Sequence, residues 1–278
     1  MDNNIFMRFP GGKRKALTLS YDDGVFQDIR LIAIMKENGL KGTFNLNSGI
    51  VASYEGEKLH GSIRLTKDQI RELYLPNGME IACHTVNHPF LEQLPGAMCF
   101  EEVYEDRLAW ENLTGGMVRG MAYSMGTFSD DVVQILRQCG IVYSRTVVST
   151  EKFDMPKDWL RLPATCHHNN PRLFELAEKF LNAPNGRPPI LFYLWGHSYE
   201  FDRDDSWDRI EKFAPLMGNR DDIWYATNME IYEYQQAYRQ LIFRCDGGEA
   251  YNPTQIPLYI RTGIGTLCVE PGKTMKLK

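Results

Sequence analysis

The apolar residues follow a strand-like period in some segments and a helical period in others, and these two kinds of segment alternate along the chain. Short runs of strand-forming residues, such as 15–22, are followed by longer segments in which apolar residues recur every three or four positions, as at Phe26, Ile29 and Ile32. This alternation of strand and helix patterns repeats along most of the chain. It predicts an α/β fold with a largely parallel sheet.

The strand and helix patterns form about seven or eight pairs, a number that suits a closed or incomplete barrel. We therefore predict a seven- or eight-stranded (β/α) barrel over residues 1–243. After Phe243 the helical period stops, and short β runs alternate with Gly and Pro turns. Residues 244–278 are predicted to form a small C-terminal β-hairpin appendage.

Composition and charge narrow the class of protein. Of the 278 residues, 43% are hydrophobic and 24% charged, as in a globular domain, and the net charge of -5 argues against a nucleic-acid partner. No apolar run approaches the roughly 18 residues that a membrane helix needs, so no membrane partner is expected. The first residues lack the apolar core of a signal peptide, and we expect a cytoplasmic protein. The oligomeric state stays open.

Two adjacent carboxylates, Asp22 and Asp23, end the first predicted strand and precede Gly24. Ionised neighbours repel each other. A bound metal relieves that repulsion by taking one carboxylate, while the other stays free to handle a proton. A solvated turn is the alternative interpretation, because Asp-Asp-Gly is common at strand ends.

Histidines follow two later predicted strands. His84 and His88 form an HxxxH pair, and Pro89 favours a turn there rather than a helix. Two neutral imidazoles and one carboxylate make an open metal site, with two surface histidines as the alternative. His197 follows the apolar run 190–193, where it could protonate a leaving amine or remain a core histidine.

These segments together resemble the polysaccharide deacetylase family, the NodB-homology domain of carbohydrate esterase family four. The family motif T-F-D-D-G is matched by residues 20–24, H-S/T-x-x-H by residues 84–88, and L-x-L-H by residues 194–197. The resemblance covers residues 15 to about 200, which is most of the chain.

The resemblance implies a role for each matched residue. Asp22 is expected as the general base and His197 as the general acid. The expected ligands of a divalent metal are Asp23, His84 and His88. Zinc is the expected ion, with Co²⁺, Ni²⁺ or Mn²⁺ as alternatives.

The family's third motif, R-P-P-Y-G, is altered in this chain. If Tyr123 takes the place of its Tyr, Gly120 falls where the orienting Arg belongs. Arg119 is one residue off, which on a strand turns a side chain to the other face. Arg145 is the candidate replacement, because a cation beside Asp22 would lower the pKa of that carboxyl and fix its geometry. An ordinary salt bridge is the alternative, and the sequence leaves open whether Arg119, Arg145 or neither fills the role.

Aromatic and further histidine residues complete the candidate site. Tyr123 and Trp195 are candidates for substrate contact, and a peptide N–H near Tyr123 is expected to stabilise the oxyanion. His167 and His168 follow a predicted strand and are expected in a surface turn, with a place in the lining of the substrate cleft as the alternative. The family's fourth motif, an Asp-Trp pair, has no clean match.

The favoured function is a metal-dependent hydrolase that removes an acetyl group from the nitrogen of an N-acetylated sugar or oligosaccharide. A small-molecule amidase acting on a non-sugar C–N bond would use the same fold. A non-catalytic carbohydrate-binding relative would need a lost catalytic residue. A non-haem iron oxygenase also uses two His and one carboxylate, but its usual scaffold is all-β. The expected partner is therefore a carbohydrate or a small-molecule amide.

Overall fold

The computed structural model describes residues 4–186 and 188–277. The strands are β1 (Phe6–Arg8), β2 (Lys15–Asp22), β3 (Gly42–Leu46), β4 (Lys58–Leu59), β5 (Ser62–Ile63), β6 (Glu80–Cys83), β7 (Gly120–Ala122), β8 (Tyr143–Ser149), β9 (Leu162–Ala164), β10 (Cys166–His167), β11 (Ile190–Gly196), β12 (Ile223–Tyr225), β13 (Ile242–Phe243), β14 (Glu249–Tyr251), β15 (Leu258–Thr262), β16 (Gly265–Val269) and β17 (Thr274–Lys276).

Helices connect most of the central strands. The α-helices are α1 (Asp28–Glu37), α2 (Lys67–Leu73), α3 (Gly96–Thr114), α4 (Asp130–Gln138), α5 (Leu173–Leu181), α6 (Tyr199–Arg203), α7 (Trp207–Met217) and α8 (Asn228–Tyr238). Short 3-10 helices lie at Pro10–Gly12, Leu75–Asn77, Leu91–Gln93, Ser124–Gly126 and Trp159–Arg161. Over the described ranges, no helix has the length and apolar character needed to cross a bilayer.

The central sheet is parallel throughout. Eight strands follow the order β10-β11-β2-β3-β6-β7-β8-β9, and β12 pairs with the first half of β2. The two ends of the sheet approach each other, since β8 contacts β10 and β9 contacts β11. Among the described residues, no pairing of β9 with β10 closes the ring. The predicted incomplete (β/α) barrel is confirmed.

Side chains alternate across β2, and this decides what faces the barrel interior. Leu19 and Tyr21 belong to the core that the sheet forms with the surrounding helices. Ser20 and Asp22 therefore face the other way, into the barrel, where Asn45 hydrogen-bonds both of them. The period of two along β2 thus aims the Asp22 carboxylate inward.

The first helix differs from its predicted phase. Phe26 and Ile29, two of the residues whose spacing indicated this helix, are 45% and 38% exposed, whereas Leu31 and Met35 are fully buried. The segment before α1 is a turn, in which the N–H of Phe26 donates to the carbonyl oxygen of Ile63. The helix begins at Asp28, two residues after Phe26, and its buried face runs through Leu31, Ile32 and Met35, so Ile32 fits the sequence pattern whereas Ile29 does not.

The chain after α8 builds two small antiparallel sheets. One joins the N-terminal β1 to β15 and β16, and the other joins β13, β14 and β17. Because β1 pairs with β15, the first described strand and the last part of the chain share a sheet. A domain boundary after residue 243 stays a prediction.

Candidate active site

The parallel strands end at one face of the barrel, and that face carries the candidate chemistry. Asp22 is the last residue of β2, His84 follows the end of β6, and His197 follows the end of β11. Because β2 lies between β3 and β11, and β6 pairs with β3, these strand ends surround one mouth.

Asp23, His84 and His88 meet at this mouth. Their ligand atoms all lie within 4.8 Å of one another, and the Nε2 atoms of the two imidazoles are 3.1 Å apart. A carboxylate oxygen of Asp23 lies 3.9 Å from Nε2 of His88. His88 lies in a turn with a φ of 57°, outside any helix. The tertiary structure thus brings together three side chains that the sequence singled out.

The tautomer of His84 suits a bound cation. Its Nδ1 lies 2.8 Å from the carbonyl oxygen of Ala122, which can only accept, so Nδ1 carries the hydrogen and Nε2 presents a lone pair. Metal-binding histidines are generally oriented in this way, through a hydrogen bond from the far ring nitrogen. One carboxylate and two imidazoles therefore fit a divalent transition metal.

Buried polar groups hold the backbone around His84. Asp106 of α3 is fully buried and accepts hydrogen bonds from the peptide N–H groups of His84, at 2.9 Å, and Ser48, at 2.8 Å. The side chain of Asn47 donates to the carbonyl oxygens of His84 and Thr85. Burial raises the pKa of Asp106 to about 7. These contacts fix the path of the chain that carries His84.

Arg64 braces the turn that carries Asp23. Asp23 has a φ of 84°, in the left-handed region that non-glycine residues seldom adopt. The buried guanidinium of Arg64 donates to the carbonyl oxygen of Asp23 and lies 3.6 Å from its carboxylate. The next residue, Leu65, donates its N–H to Gly24 at 3.1 Å. The segment that ends in Arg64 is therefore packed onto the turn.

Asp22 is held as an ionised carboxylate. It is buried, accepts a 2.8 Å hydrogen bond from the Asn45 side chain, and is paired with the guanidinium of Arg145. Burial alone would raise the pKa of Asp22, but the charge of Arg145, helped by His84 and His197, lowers it to about 2. An ionised carboxylate at this place can accept a proton.

Arg145, rather than Arg119, reaches Asp22. Arg119 directly precedes β7 and so lies at the end of that strand away from the mouth. At Gly120 an added Cβ would lie 2.1 Å from the ring of Tyr143, so no side chain fits there. Arg145 lies two residues after Tyr143 on β8, faces the same interior, and brings its guanidinium to Asp22.

His197 stands between two carboxylates. Its Nε2 lies 3.6 Å from Asp22, and its Nδ1 lies 3.6 Å from Glu200. Burial lowers the pKa of His197, but its contacts with Glu200 and Asp22 outweigh burial and raise the pKa above its ordinary value. The charged imidazolium, which can donate a proton, is therefore favoured.

Tyr123 and Trp195 are both nearly buried. The hydroxyl of Tyr123 donates to the carbonyl oxygen of Leu160 at 2.7 Å, and its peptide N–H donates to that of Arg145 at 3.1 Å. The hydroxyl and the N–H of Tyr123 are thus both engaged within the protein, and an oxyanion-binding peptide N–H near Tyr123 stays a prediction. Trp195 stacks with the Arg145 guanidinium at 4.4 Å from its ring centre.

The expectation that His167 and His168 lie in a surface turn was wrong for His168. Its side chain is 1% exposed and stacks on Phe201 with 4.3 Å between ring centroids. Nε2 of His167 lies 3.0 Å, and Nε2 of His168 3.1 Å, from the same oxygen of Glu200. Both histidines therefore belong to the wall of the site.

Sequence reasoning missed Glu200 and Asp106, although each left a signal. Glu200 comes three residues after His197, a spacing that favours contact in a helical turn. In α3, Asp106 lies on the same buried stripe as Val103 and Trp110. A carboxylate on an otherwise apolar helical face needs buried partners, and such a position marks a structural or functional contact.

Comparison with known families confirms the resemblance. The polysaccharide deacetylase family model matches residues 10–144, a range that includes Asp22, Asp23, His84 and His88. No curated protein sequence matches the chain.

Several solved structures are similar. A Mycobacterium smegmatis protein named as a polysaccharide deacetylase aligns with a TM-score of 0.58 and 17% identity, over 86% of this chain and 95% of that one. The peptidoglycan deacetylase PdaC from Bacillus subtilis aligns with a TM-score of 0.51 and 15% identity, over 81% of this chain and 94% of that one. The Streptococcus pyogenes deacetylase PplD, in complex with acetate, has 22% identity and a TM-score of 0.45, over 52% of this chain and 62% of its own. At these identities the first two likenesses establish the fold.

Proposed function

We propose that this chain, whose residues 10–144 match the polysaccharide deacetylase family model, is a metal-dependent hydrolase that removes an acetyl group from the nitrogen of an N-acetylated sugar or oligosaccharide. The observation that carries the proposal is the convergence of Asp23, His84 and His88 at the mouth that also holds Asp22 and His197. A solvated turn and surface histidines would have no reason to converge in this way.

The Asp23 carboxylate and the Nε2 atoms of His84 and His88 would hold the metal. Zinc suits this donor set best, with Co²⁺, Ni²⁺ or Mn²⁺ as alternatives. When bound, such an ion acidifies a water molecule and polarises the acyl carbonyl group. The protein supplies the remaining acid and base.

Asp22 is the proposed general base. Arg145 and Asn45 each engage one of its carboxylate oxygens, so its orientation is set before a substrate arrives. Its low pKa keeps it ionised at neutral pH. Arg145 thereby takes the orienting role that the altered third motif leaves vacant.

His197 is the proposed general acid. Its Nε2 faces Asp22 and the mouth, from where it can protonate a departing nitrogen. An amine leaves poorly without a proton, so an amide substrate depends on His197 far more than an ester with a good leaving group does. Trp195 is proposed to line the substrate side of this wall.

Metal content and acetate release together test the proposal. We expect roughly one divalent ion per chain, and release of acetate from N-acetylglucosamine oligomers that stops with a chelator and returns with added metal. The exposed surface variant Asp208→Asn serves as the matched control, because Asp208 pairs only with Lys212 among the ion pairs of the described residues.

Two outcomes would contradict the proposal in different ways. Wild-type protein that takes up no ion after soaking with zinc, cobalt or nickel would exclude the metal site. A metal-loaded protein that cleaves simple amides and leaves the oligomers intact would favour the small-molecule amidase.

A further inference from the structure

A second group of ionisable side chains lies on the side of His197 away from the metal ligands. It consists of Glu200, His167, His168 and His197, and is called the Glu200 cluster. One oxygen of Glu200 lies 3.0 Å from Nε2 of His167, 3.1 Å from Nε2 of His168 and 3.6 Å from Nδ1 of His197. Glu200 is 8% exposed and His168 1%. Burying a carboxylate is costly unless it is paired, so this arrangement requires an explanation.

The cluster has the residue types of a metal site, but the imidazole hydrogen of His167 lies on the nitrogen that would have to bind the metal. His167, His197 and Glu200 do have ligand atoms within 4.8 Å of one another. However, the peptide N–H of Asn169 donates to Nδ1 of His167 at 3.1 Å, so Nδ1 is an acceptor and Nε2 carries the hydrogen. His167 therefore presents Glu200 with an N–H group rather than a lone pair.

The residues packed around the ring of His168 leave it little room to move. The ring stacks between Phe201, at 4.3 Å, and Tyr21, at 5.7 Å between centroids. At Gly196 an added Cβ would lie 2.1 Å from Nδ1 of His168, so only glycine leaves room for this ring. The parallel pairing of β10 with β11 aligns His167 with Trp195 and so sets His168 beside Gly196.

We propose that Glu200 positions His197 as the general acid, and that His167 and His168 hold the Glu200 carboxylate in the orientation that this task requires. The inference rests on the proposed function of His197. Glu200 contacts both the ring of His197 and its peptide N–H, which lies 3.4 Å from the same oxygen. With Nδ1 turned towards Glu200, Nε2 is left facing Asp22 and the mouth.

Charge supports the same arrangement. Burial by itself would raise the pKa of Glu200, but the contacts with His167, His168 and His197 hold it well below its usual range. Burial lowers the pKa of His168 to about 4, so this ring stays neutral beside the Glu200 carboxylate. The other Glu200 oxygen lies 3.4 Å from the guanidinium of Arg203. A lasting negative charge beside Nδ1 stabilises the imidazolium of His197.

The activity test compares Glu200→Gln with Glu200→Asp and with the Asp208→Asn control. On an N-acetylated oligomer, Glu200→Gln should lower kcat by about 100-fold with little change in KM, because general acid catalysis is what it weakens. On p-nitrophenyl acetate, whose leaving group departs without a proton, the same variant should stay close to the wild type. Glu200→Asp keeps the charge and should recover part of the loss.

Metal content separates positioning from collapse of the site. Glu200→Gln should retain the ion of the wild type, because among the described residues Glu200 forms no ion pair or hydrogen bond with Asp23, His84 or His88. An equal loss of activity on both substrates, or a second ion that disappears in Glu200→Gln, would overturn the proposal.

Nitrogen-15 NMR of the six histidines gives a readout that needs no activity. In the wild type, His197 should hold its Nδ1 hydrogen and titrate at a higher pH than in Glu200→Gln, with Asp22 and Asp23 as the other carboxylates that influence it. Unchanged His197 signals in the variant would overturn the positioning role, even in an active enzyme. A wild type that hydrolyses nothing would refute the proposed function, while the NMR result would still decide whether Glu200 orients His197.

Discussion

Two groups of histidines lie on either side of Asp22, and they are built in opposite ways. In the ligand group of Asp23, His84 and His88, the Nε2 atoms of the two rings face each other at 3.1 Å. In the Glu200 cluster, the rings converge on one carboxylate oxygen instead. Both groups combine imidazoles with a carboxylate, so composition alone does not distinguish them.

The difference comes from what the far side of each ring contacts. Nδ1 of His84 meets a carbonyl oxygen, which forces the hydrogen onto Nδ1 and frees Nε2. Nδ1 of His167 meets a peptide N–H, which forces the hydrogen onto Nε2. A backbone group on the far side of a ring therefore decides whether that histidine offers a lone pair or a hydrogen.

The largest expected effect directly tests whether the two histidine groups differ in metal binding. His84→Ala should abolish metal binding, because it removes one of the three proposed metal ligands, whereas His167→Ala should leave the metal content unchanged. Elemental analysis of both variants and the wild type is the measurement. Equal metal loss in both variants would mean that the two groups do not differ as described.

Removing the cation beside Asp22 should have the next largest effect. Arg145→Ala should lower kcat by about 1,000-fold at unchanged metal content, because Asp22 loses both its orientation and its charge partner. Arg145→Lys keeps the charge without the forked geometry of the guanidinium, so its kcat should lie between those of the wild type and Arg145→Ala. Turnover of Arg145→Ala equal to that of the wild type would contradict the orienting role.

The support beneath the ligand group should matter less. Asp106→Asn keeps the shape of the side chain but leaves one acceptor oxygen for the N–H groups of His84 and Ser48. Loss of such an outer contact typically weakens metal affinity by about 10- to 100-fold. Titration of the metal-free protein with zinc measures this, and the wild-type affinity in Asp106→Asn would show that the backbone of His84 needs no such support.

Crowding the Glu200 cluster should have a smaller effect and should spare the metal. In Gly196→Ala the new methyl group displaces the ring of His168, at a cost of about 1–3 kcal/mol in the free energy of unfolding. Urea unfolding measures that cost, and kcat on an amide should fall by about 10-fold. A variant as stable as the wild type would show that His168 has room to move.

The smallest effect concerns Asp28, a fully buried carboxyl group at the start of α1. It accepts hydrogen bonds from Ser198, next to His197, and from Tyr74, and burial raises its pKa to about 7. A raised carboxyl pKa means that the folded state keeps a proton that the unfolded chain has released. Its stabilising contribution is complete below the ordinary pKa of 3.8 and is lost as the pH rises towards about 7.

Asp28→Asn removes this titration. The free energy of unfolding of the variant should change less between pH 5 and pH 8 than that of the wild type. Urea unfolding at the two pH values provides the comparison. An unchanged pH dependence would place the titration elsewhere, with Asp106 as the next candidate because its pKa is also raised to about 7.

Many residues of the candidate site could be predicted from the sequence. Asp22, Asp23, His84, His88 and His197 were chosen from strand ends and spacing, and the fold brings them to one mouth. This works because parallel strands that alternate with helices present all their carboxyl ends at one face. Local patterns at strand ends therefore become neighbours in space.

Other parts depended on long-range packing that no local pattern records. The sequence left open whether Arg119, Arg145 or neither pairs with Asp22, and in the fold the Arg145 guanidinium reaches that carboxylate while the ring of Tyr143 fills the space next to Gly120. Tyr123 turned out to be engaged at both its hydroxyl and its N–H, although its position in the motif favoured an open role. Which side-chain volume occupies the interior is decided between strands, so one strand's sequence does not reveal it.

By itself the sequence predicted the α/β barrel from its periodicity, and the resemblance of its strand-end motifs to polysaccharide deacetylases singled out the candidate residues at the mouth. Only the tertiary structure decided what each histidine can offer. That depends on whether a carbonyl oxygen or an N–H lies beyond the far ring nitrogen, as at Ala122 for His84 and Asn169 for His167. For His84 that group belongs to a segment distant in the chain, and for His167 to a local turn whose geometry is set by packing beside β11.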